Sequence, residues 1–224
     1  MITLHHLEYS QSFRVLWLLE ELAIDYELKK YNRDPKTKLA PDDYKALSPL
    51  GTAPVITDGD VVLAETNAIL EYILDQHPNP SLRPSIDSTD RAQHLFWLHA
   101  SQGSMMPLLL MDLIFGVSKD RAPLPFKFFL SPVIKGVRSS FIKPRMIKLL
   151  SKAEQDLANS PWFGGHELTI ADIAMVYSIE AAKSRGWLSA QYTHCHEWLN
   201  RVEQRAAFQS AKEKDGRPSM VPTL

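Results

Sequence analysis

Three hydroxyl side chains lie close together near the start of the chain, where a short strand pattern changes into a helix pattern. They belong to Tyr9, Ser10 and Ser12, and Arg14 follows on the first turn of the predicted helix. A hydroxyl donor and the free N–H groups of a helix N-terminus both stabilise a neighbouring anion. The same pattern also fits a serine that only caps the helix. The residues therefore indicate either an anion site or a simple cap.

A second polar pair, Glu65-Thr66, stands at the start of another predicted helix. Thr66 would place its hydroxyl beside free N–H groups that favour an anion, and the Glu65 carboxylate beside it favours a cation. The alternative is a capped helix start without a ligand. Between the two sites Pro54 begins a strand-like run, a position that proline commonly takes.

The elements that must position these residues follow one another as strand, helix, strand, short helix, hairpin and helix. Asp58-Gly59-Asp60 between two apolar runs is a hairpin signal. This order predicts an α/β domain, βαβαββα, with a small mixed sheet and helices on both faces. The predicted strands are Ile2–His6, Ile24–Tyr31, Pro54–Thr57 and Val61–Ala64, and the predicted helices are Phe13–Leu22, Tyr44–Leu47 and Thr66–Gln76.

Strand patterns disappear after a proline-rich stretch, which predicts a domain over 1–78, a linker over 79–87 and an all-α helical bundle domain over 88–224. The stretch from Val117 to Pro144 contains four prolines and is expected to be broken up. Thr169 and Asp172 form a capping-box pattern. The predicted helices are Asp87–Met111, Ile142–Leu157, Thr169–Lys183 and His194–Arg205.

The composition is typical of a soluble globular protein, since the 224 residues are 45% hydrophobic and 23% charged with a net charge of -1. Such a charge provides no field that attracts nucleic acid or an anionic membrane. Cys195 is the single cysteine, so an intrachain disulfide and a CxxC pair are excluded. His5 and His6 point to opposite faces of a strand, and His194 and His196 to different faces of a helix. No metal site is expected, and the first residues show no signal-peptide pattern.

Four motifs in a fixed order resemble those of the glutathione transferase superfamily over nearly the whole chain. They are Tyr9-Ser-Gln-Ser-Phe-Arg14 after the first strand, Gly51-Thr-Ala-Pro-Val55 before the hairpin, Glu65-Thr66 at the third helix and Leu168-Thr-Ile-Ala-Asp172 in the helical half. The first helix and the proline-containing insert are most similar to a fungal and bacterial subgroup. The resemblance implies a thioredoxin-like glutathione-binding domain followed by a helical domain that supplies the pocket for the second substrate.

The resemblance also implies a catalytic hydroxyl. In serine-type members the catalytic serine lies four residues before an arginine, which matches Ser10 and Arg14, with Ser12 and Tyr9 as alternatives. Arg14 would support the loop around the thiolate. A thiol with a pKa of about 8.5 is mostly protonated at neutral pH. Lowering its pKa by about two units requires roughly 2.7 kcal/mol of preferential thiolate stabilisation.

The family's glutathione contacts can be assigned to the remaining motifs. The resemblance implies a cis bond before Pro54 and main-chain pairing of Val55 with the cysteinyl part of glutathione. It also implies ionic contacts of Glu65 and Thr66 with the γ-glutamyl end. Ala53 completes this part of the motif.

The contact to the glycyl carboxylate has no clear counterpart, because Thr52 stands where the family commonly has a lysine. Lys36 and Arg33 in the preceding loop are possible replacements, as is Lys38, which we include in the predicted site. The alternative is that these loop charges are only solvated.

For the second substrate, Met105, Met106 and Leu109 fit equally well in the core or in the acceptor pocket that the resemblance implies. The predicted function is conjugation of the glutathione thiolate to small hydrophobic electrophiles, or reduction of peroxides, by a cytoplasmic homodimer in detoxification. Glutathione is the co-substrate, and neither nucleic acid nor a membrane is an expected partner. The alternatives are a non-catalytic glutathione-binding or scaffolding protein and a glutaredoxin-type enzyme, although no cysteine lies near residues 9–14.

Overall fold

The computed structural model describes residues 1–221, and the first part is a four-stranded sheet with helices on both faces. Its order along the chain is βαβαββα, which confirms the predicted thioredoxin-like architecture. The elements are β1 (Ile2–Leu7), α1 (Ser12–Leu22), β2 (Glu27–Tyr31), α2 (Asp42–Lys45), β3 (Val55–Asp58), β4 (Val61–Ala64) and α3 (Thr66–Gln76).

The sheet has the strand order β2-β1-β3-β4, with β1 parallel to β2 and antiparallel to β3. Because side chains alternate along a strand, β1 contributes side chains to the hydrophobic clusters on both faces of the sheet. Leu7 packs with Tyr44 of α2 in a small cluster on one face, whereas Leu4 belongs to the large core on the other face. His6 lies on the same face as Leu4, since its ring contacts Ser12 of α1.

The second part is helical, as predicted, and contains α4 (Arg91–Ala100), α5 (Met106–Arg121), α6 (Leu124–Val137), α7 (Lys143–Asn159), α8 (Ile170–Ser184), α9 (Thr193–Glu203) and α10 (Ala206–Asp215). A 3-10 turn, Pro80–Leu82, precedes α4. Single π-helical turns join α4 to α5 over Ser101–Met105 and α6 to α7 over Arg138–Ile142.

Prolines explain where the helices differ from the prediction. The stretch expected to be broken contains α6, because Pro125 lies in its first turn, where the missing N–H costs no hydrogen bond. Pro107 and Pro144 also lie in the first turns of α5 and α7, but each follows directly on a π-helical turn, where the regular ladder of helical hydrogen bonds is already interrupted.

The continuous helix from Arg91 to Arg121 is long and apolar enough to span a bilayer by length and composition alone. Core helices of soluble proteins share both properties.

One hydrophobic core joins the sheet to the helical bundle. Helix α1 is buried on nearly every side from Ser12 to Leu19, because the sheet covers one face while α8 and α10 cover the other. Trp17 and Phe208 meet edge to face at 5.0 Å between ring centroids. The exact domain limits at residues 78 and 88 stay a prediction, since the core is continuous across them.

The N-terminus of α8 is fixed by a buried carboxylate. Thr169 and Asp172 form the predicted capping box. The same carboxylate accepts hydrogen bonds from the main-chain N–H groups of Phe163 at 2.7 Å and Gly164 at 3.1 Å, and from the indole of Trp198 at 2.9 Å. Burial raises the pKa of Asp172 to about 6, although these donors act in the opposite direction. The carboxylate therefore ties α8 to α9 and to the loop before it.

Replacing the Asp172 carboxylate is expected to lower the free energy of unfolding. Asp172→Ala leaves several buried N–H donors unpaired, and each costs about 1–3 kcal/mol. We expect the free energy of unfolding to fall by at least about 3 kcal/mol in urea denaturation. Asp87→Ala, at an exposed carboxylate of the segment before α4, is the control. A loss below about 1 kcal/mol for Asp172→Ala would contradict this assignment.

His94 predicts how stability depends on pH. Its ring is fully buried in α4, 2.9 Å from the Thr169 hydroxyl, and burial, with Arg91 and Arg83 nearby, lowers the pKa of His94 from 6.5 to about 4. The unfolded chain therefore binds a proton at His94 that the folded chain does not, so the contribution of His94 to stability falls as the pH drops from 6.5 towards 4, whereas the raised pKa of Asp172 acts in the opposite direction. The loss from His94 is about 3 kcal/mol. In denaturation at several pH values, the stability of His94→Gln relative to the wild type should therefore increase as the pH drops, whereas that of the exposed His99→Gln should change little.

Candidate active site

Three segments meet at the C-terminal end of β1. His5 of β1 lies opposite Val55 of β3 in an antiparallel register, so the residues just before β3 run beside the last residues of β1. The N-terminus of α3 borders the same place, because the Thr66 hydroxyl lies 3.4 Å from the side-chain oxygen of Gln11. The fold thus brings together the three motifs that are far apart in the sequence.

The peptide bond between Ala53 and Pro54 is cis, as the family resemblance implied. Val55 is flanked on both sides within the sheet, by His5 and by Ala64. Ala53 precedes the strand, and its N–H and C=O make no main-chain hydrogen bond among the described residues. Ala53 therefore has main-chain groups available to an extended ligand, and the expected pairing of Val55 with the ligand stays a prediction.

The two serines form a buried hydrogen-bonded pair. Their hydroxyl oxygens are 2.8 Å apart, and the Ser10 hydroxyl donates to the Leu7 carbonyl at 2.7 Å. Ser10 also accepts the main-chain N–H of Ser12 at 3.2 Å. Ser12 is fully buried, whereas Ser10 keeps 6% of its surface exposed. Of the two, Ser10 is therefore the hydroxyl that a ligand can reach.

Tyr9 has a different environment from the two serines. Its φ angle of 51° lies in the left-handed region, which is uncommon for a residue other than glycine. Its ring is half-buried beneath the guanidinium of Arg217, 5.8 Å from the ring centroid. Glu65 also has a positive φ, of 76°. Strained backbone of this kind is often concentrated at ligand sites.

Beyond Ser12 the hydrogen bonds continue through two residues that the sequence analysis did not assign to the site. The Ser12 hydroxyl lies 2.9 Å from Nδ1 of His6, and Nε2 of His6 lies 2.7 Å from the Asp215 carboxylate. His6 is 2% and Asp215 7% exposed. No sequence pattern predicts this pairing, because Asp215 belongs to a C-terminal helix that was not predicted.

Arg14 is a fully buried cation at the start of α1. Its guanidinium donates to Gln11 at 2.8 Å and to the Ser178 hydroxyl of α8 at 2.9 Å, and it lies 5.3 Å from the centre of the Tyr177 ring. No carboxylate among residues 1–221 forms an ion pair with it, and its Nε lacks a partner there. Burial lowers the pKa of Arg14 to about 9. An anion nearby would offset this desolvation.

Gln11 links the loop to both domains, a role that the sequence analysis missed although the residue lies within the hydroxyl motif. Its side-chain oxygen accepts from Arg14, from the amide of Gln102 at 2.5 Å and, more weakly, from the Thr66 hydroxyl. Because Gln102 lies in the π-helical turn after α4, the loop geometry depends on how the helical domain packs.

The N-terminus of α3 has the position and the burial on which the predicted anion site depends, and the site itself stays a prediction. Thr66 is the first residue of this helix and is 1% exposed, while the Glu65 side chain is exposed beside it. The orphan N–H groups of the first turn favour an anion. The N-terminus of α3 favours a negative group and the Glu65 carboxylate favours a positive one, so together they can bind a ligand that carries both charges.

The loop expected to contact the glycyl carboxylate is held by its own hydrogen bonds. Arg33 donates to the carbonyl of Glu8 at 3.0 Å and to the carbonyl of Lys38 at 3.1 Å, so its guanidinium stabilises the conformation of the loop. The side chains of Lys36 and Lys38 are exposed, as is Thr52. The structure leaves Lys38 available to a ligand but shows no contact that selects it.

The residues proposed for the acceptor pocket have unequal exposure. Met105 is 1% exposed and Leu109 is fully buried, and both belong to the main hydrophobic core. They present almost no surface to a ligand, because both side chains are packed into this core. Met106 is half-buried and stays a candidate.

A cavity of about 690 Å³ lies in the helical domain, lined by residues that include Lys119, Ile134, Arg138 and Trp187. None of its lining residues belongs to the loop over 9–14, to the segment before β3 or to α3. The cavity is therefore separate from the candidate site.

Comparisons with known proteins agree with this fold and these motifs. Residues 10–76 match the family model of the glutathione S-transferase N-terminal domain, and residues 134–214 match that of the C-terminal domain. Glutathione S-transferase 3 of Schizosaccharomyces pombe is 34% identical over 96% of this chain and 88% of its own length. Glutathione S-transferase 1 of Saccharomyces cerevisiae is 26% identical over 96% of this chain and 95% of its own length.

A solved structure supports the same assignment. The crystal structure of a glutathione S-transferase from Actinobacillus pleuropneumoniae has a TM-score of 0.75 and 32% identity, covering 96% of this chain and 93% of that chain. Sequence identity over almost the full length, two matching family models and a shared fold lead to one conclusion. The chain belongs to the glutathione S-transferase family and is a glutathione transferase enzyme.

Proposed function

We propose that glutathione binds at the C-terminal end of β1 and that its thiol is ionised beside Ser10. Ser12 and Tyr9 are the alternative catalytic hydroxyls. The observation that carries this proposal is the pair of serine hydroxyls that precedes a buried Arg14 on the same short segment, an arginine without a carboxylate partner among residues 1–221. A hydroxyl donor, a helix N-terminus and a buried cation all favour the thiolate over the thiol.

These contributions are of the size that the chemistry requires. Lowering the thiol pKa by about two units takes roughly 2.7 kcal/mol. A hydrogen bond to a charged group contributes about 1.5–3 kcal/mol, and a helix N-terminus about 0.3–1 kcal/mol. Ser10 and the start of α1 together therefore contribute on the scale required.

The other parts of glutathione would lie along the three converging segments. The γ-glutamyl carboxylate would bind at the N-terminus of α3 near Thr66, and Glu65 would pair with the γ-glutamyl ammonium. The free main-chain groups of Ala53 would pair with the cysteinyl residue as an added strand does. Lys38 is proposed for the glycyl carboxylate.

The second substrate would be a small hydrophobic electrophile, or a peroxide, held near Met106 against the helical domain. Most of the rate would come from positioning and from the ionised nucleophile. We further propose a cytoplasmic homodimer that acts in detoxification. A panel of aryl halides, enals and hydroperoxides with glutathione tests the acceptor class, and absence of turnover with every member would count against the proposal.

A thiol-disulfide enzyme of glutaredoxin type is not supported by the single cysteine. Cys195 is fully buried in α9 and its N–H donates to Glu154 at 3.0 Å. Burial, together with that carboxylate, raises the pKa of the Cys195 thiol. A protonated and inaccessible thiol is a poor nucleophile, so a mechanism through a protein thiol would require a different conformation.

The hydroxyl pair predicts a separation of chemistry from binding. Ser10→Ala combined with Ser12→Ala should lower kcat by about a hundredfold, as removal of an anion-stabilising donor does, and leave glutathione binding by calorimetry within a few-fold. Ser139→Ala removes a hydroxyl that only contacts the Gly136 carbonyl of its own helix and serves as the control. Normal turnover by the double variant would refute the assignment of these hydroxyls.

Arg14 predicts opposite effects on stability and activity. Arg14→Met removes a buried charge that has no ionic partner within residues 1–221, so the free energy of unfolding should stay the same or rise. The apparent pKa of the bound thiol should rise by about one unit, with a roughly tenfold loss of kcat/KM at neutral pH. Urea denaturation and a pH–rate profile measure the two effects, with the exposed Arg121→Met as control. A parallel loss of stability and activity would show that Arg14 has a purely structural role.

A further inference from the structure

The active-site serines stand at one end of a buried chain of hydrogen bonds that ends on a carboxylate of the last described helix. The chain runs from Ser10 to Ser12 at 2.8 Å, from Ser12 to Nδ1 of His6 at 2.9 Å, and from Nε2 of His6 to Asp215 at 2.7 Å. Each of the four side chains is less than 9% exposed. A continuous path of hydroxyl, hydroxyl, imidazole and carboxylate thus connects the site to α10.

The direction of each hydrogen bond in this series can be assigned by starting from the Asp215 carboxylate. A carboxylate only accepts, so Nε2 of His6 carries the hydrogen that faces Asp215. Nδ1 of the neutral ring is then an acceptor and takes the hydrogen of Ser12. The Ser12 oxygen is left free to accept a hydrogen from Ser10, whose hydroxyl donates to the Leu7 carbonyl and must first rotate towards Ser12. After that rotation of one hydroxyl hydrogen, the chain of hydrogen bonds can conduct a proton from Ser10 towards His6 without displacement of any heavy atom.

Several charged groups surround the imidazole. Lys30 lies opposite His6 on β2, and its ammonium is 3.5 Å from the Asp215 carbonyl. Arg217, in the segment after α10, is paired with Glu8 at 2.9 Å. Glu180 of α8, Glu203 of α9 and Lys212 of α10 line a small cavity together with Asp215 and Arg217. Among the groups described here, Asp215 makes the ionic contact with the ring itself.

We propose that His6, held by Asp215, is the positioning residue that accepts the proton displaced from bound glutathione. This inference rests on the proposed function, because it needs a thiol beside Ser10. The thiol hydrogen passes to the Ser10 oxygen, the Ser10 hydrogen passes to Ser12, and the Ser12 hydrogen passes to Nδ1 of His6. The S–H electron pair stays on sulfur as the thiolate, and Asp215 stabilises the imidazolium, as a carboxylate does in catalytic triads.

The transfer leaves the chain in the orientation that the thiolate needs. After it, His6 donates to Ser12, Ser12 donates to Ser10, and the Ser10 hydroxyl donates to the sulfur. Each hydroxyl has exchanged one hydrogen for another, so no atom is gained or lost. The proton also remains in the protein, and binding of glutathione as a thiolate releases no proton to the solvent.

The test measures how many protons the full-length protein releases to the buffer when glutathione binds. Glutathione binding is measured by calorimetry in buffers with different ionisation enthalpies near neutral pH, and thiolate formation is followed by its ultraviolet absorbance. For the wild type we expect thiolate with almost no net proton release. His6→Gln keeps a donor towards Asp215 but offers nothing to Ser12, whereas His6→Asn keeps an acceptor for Ser12 that cannot take up a proton.

Both His6 variants should raise the apparent pKa of the bound thiol by about one unit and lower kcat/KM about tenfold at neutral pH. Any thiolate that they still form should be accompanied by release of one proton. His5→Gln is the matched control, because the neighbouring ring lies on the other face of β1, bonded to Tyr31 and Thr57. It should keep the proton count and the thiol pKa of the wild type.

Two results would overturn the proposal: release of one proton per thiolate by the wild type, or folded His6 variants with an unchanged thiol pKa and proton count. If the His6 variants do not fold, Asp215→Asn decides the question, since it should also increase proton release and an unchanged count excludes the path. Failure of the proposed function looks different. In that case the wild type itself shows no glutathione-dependent turnover, or the serine double variant is fully active.

Discussion

A buried guanidinium, which has no carboxylate partner in the described part of the chain, is the interaction on which the geometry of the candidate site depends. Burying a lone charge is costly, and Arg14 offsets that cost with hydrogen bonds to Gln11 in the loop and to Ser178 in α8. These two contacts belong to different domains, so the shape of the loop depends on how the domains pack together. The helical domain therefore helps to fix the loop that carries the serines.

The same constraint explains why the two serines differ although they are only two residues apart. Ser12 lies on the first turn of α1 and faces His6 in the interior, whereas Ser10 precedes the helix and keeps a small exposed surface. A ligand at the proposed site would thus contact the Ser10 hydroxyl, whose own surroundings are set by Ser12. Buried polar chains of this kind are strong only when every member is satisfied, and here each has a partner.

The sequence predicted the first domain well because its signals are local. Strand alternation, the Asp58-Gly59 turn and the helix beginning at Thr66 all agree with the observed elements. The helical half was predicted less completely, since α6 carries prolines in its first turn and its interior. Helix α10 was also missed. In the site, the hydroxyl motif was visible, but the partners of His6 and Gln11 depend on contacts between residues up to 209 positions apart. No local pattern encodes such contacts.

The choice between a helix cap and a catalytic hydroxyl, which the sequence left open, is not a choice between exclusive roles. A serine oxygen has two acceptor lone pairs and one donor hydrogen. Ser10 uses an acceptor position for the N–H of Ser12, as a capping residue does, and its hydrogen now rests on the Leu7 carbonyl. A carbonyl that faces a neutral donor competes poorly with an anion, because hydrogen bonds to ionised groups are about twice as strong. The capping contact holds the oxygen in place, and the hydrogen can turn to a thiolate without disturbing the start of α1.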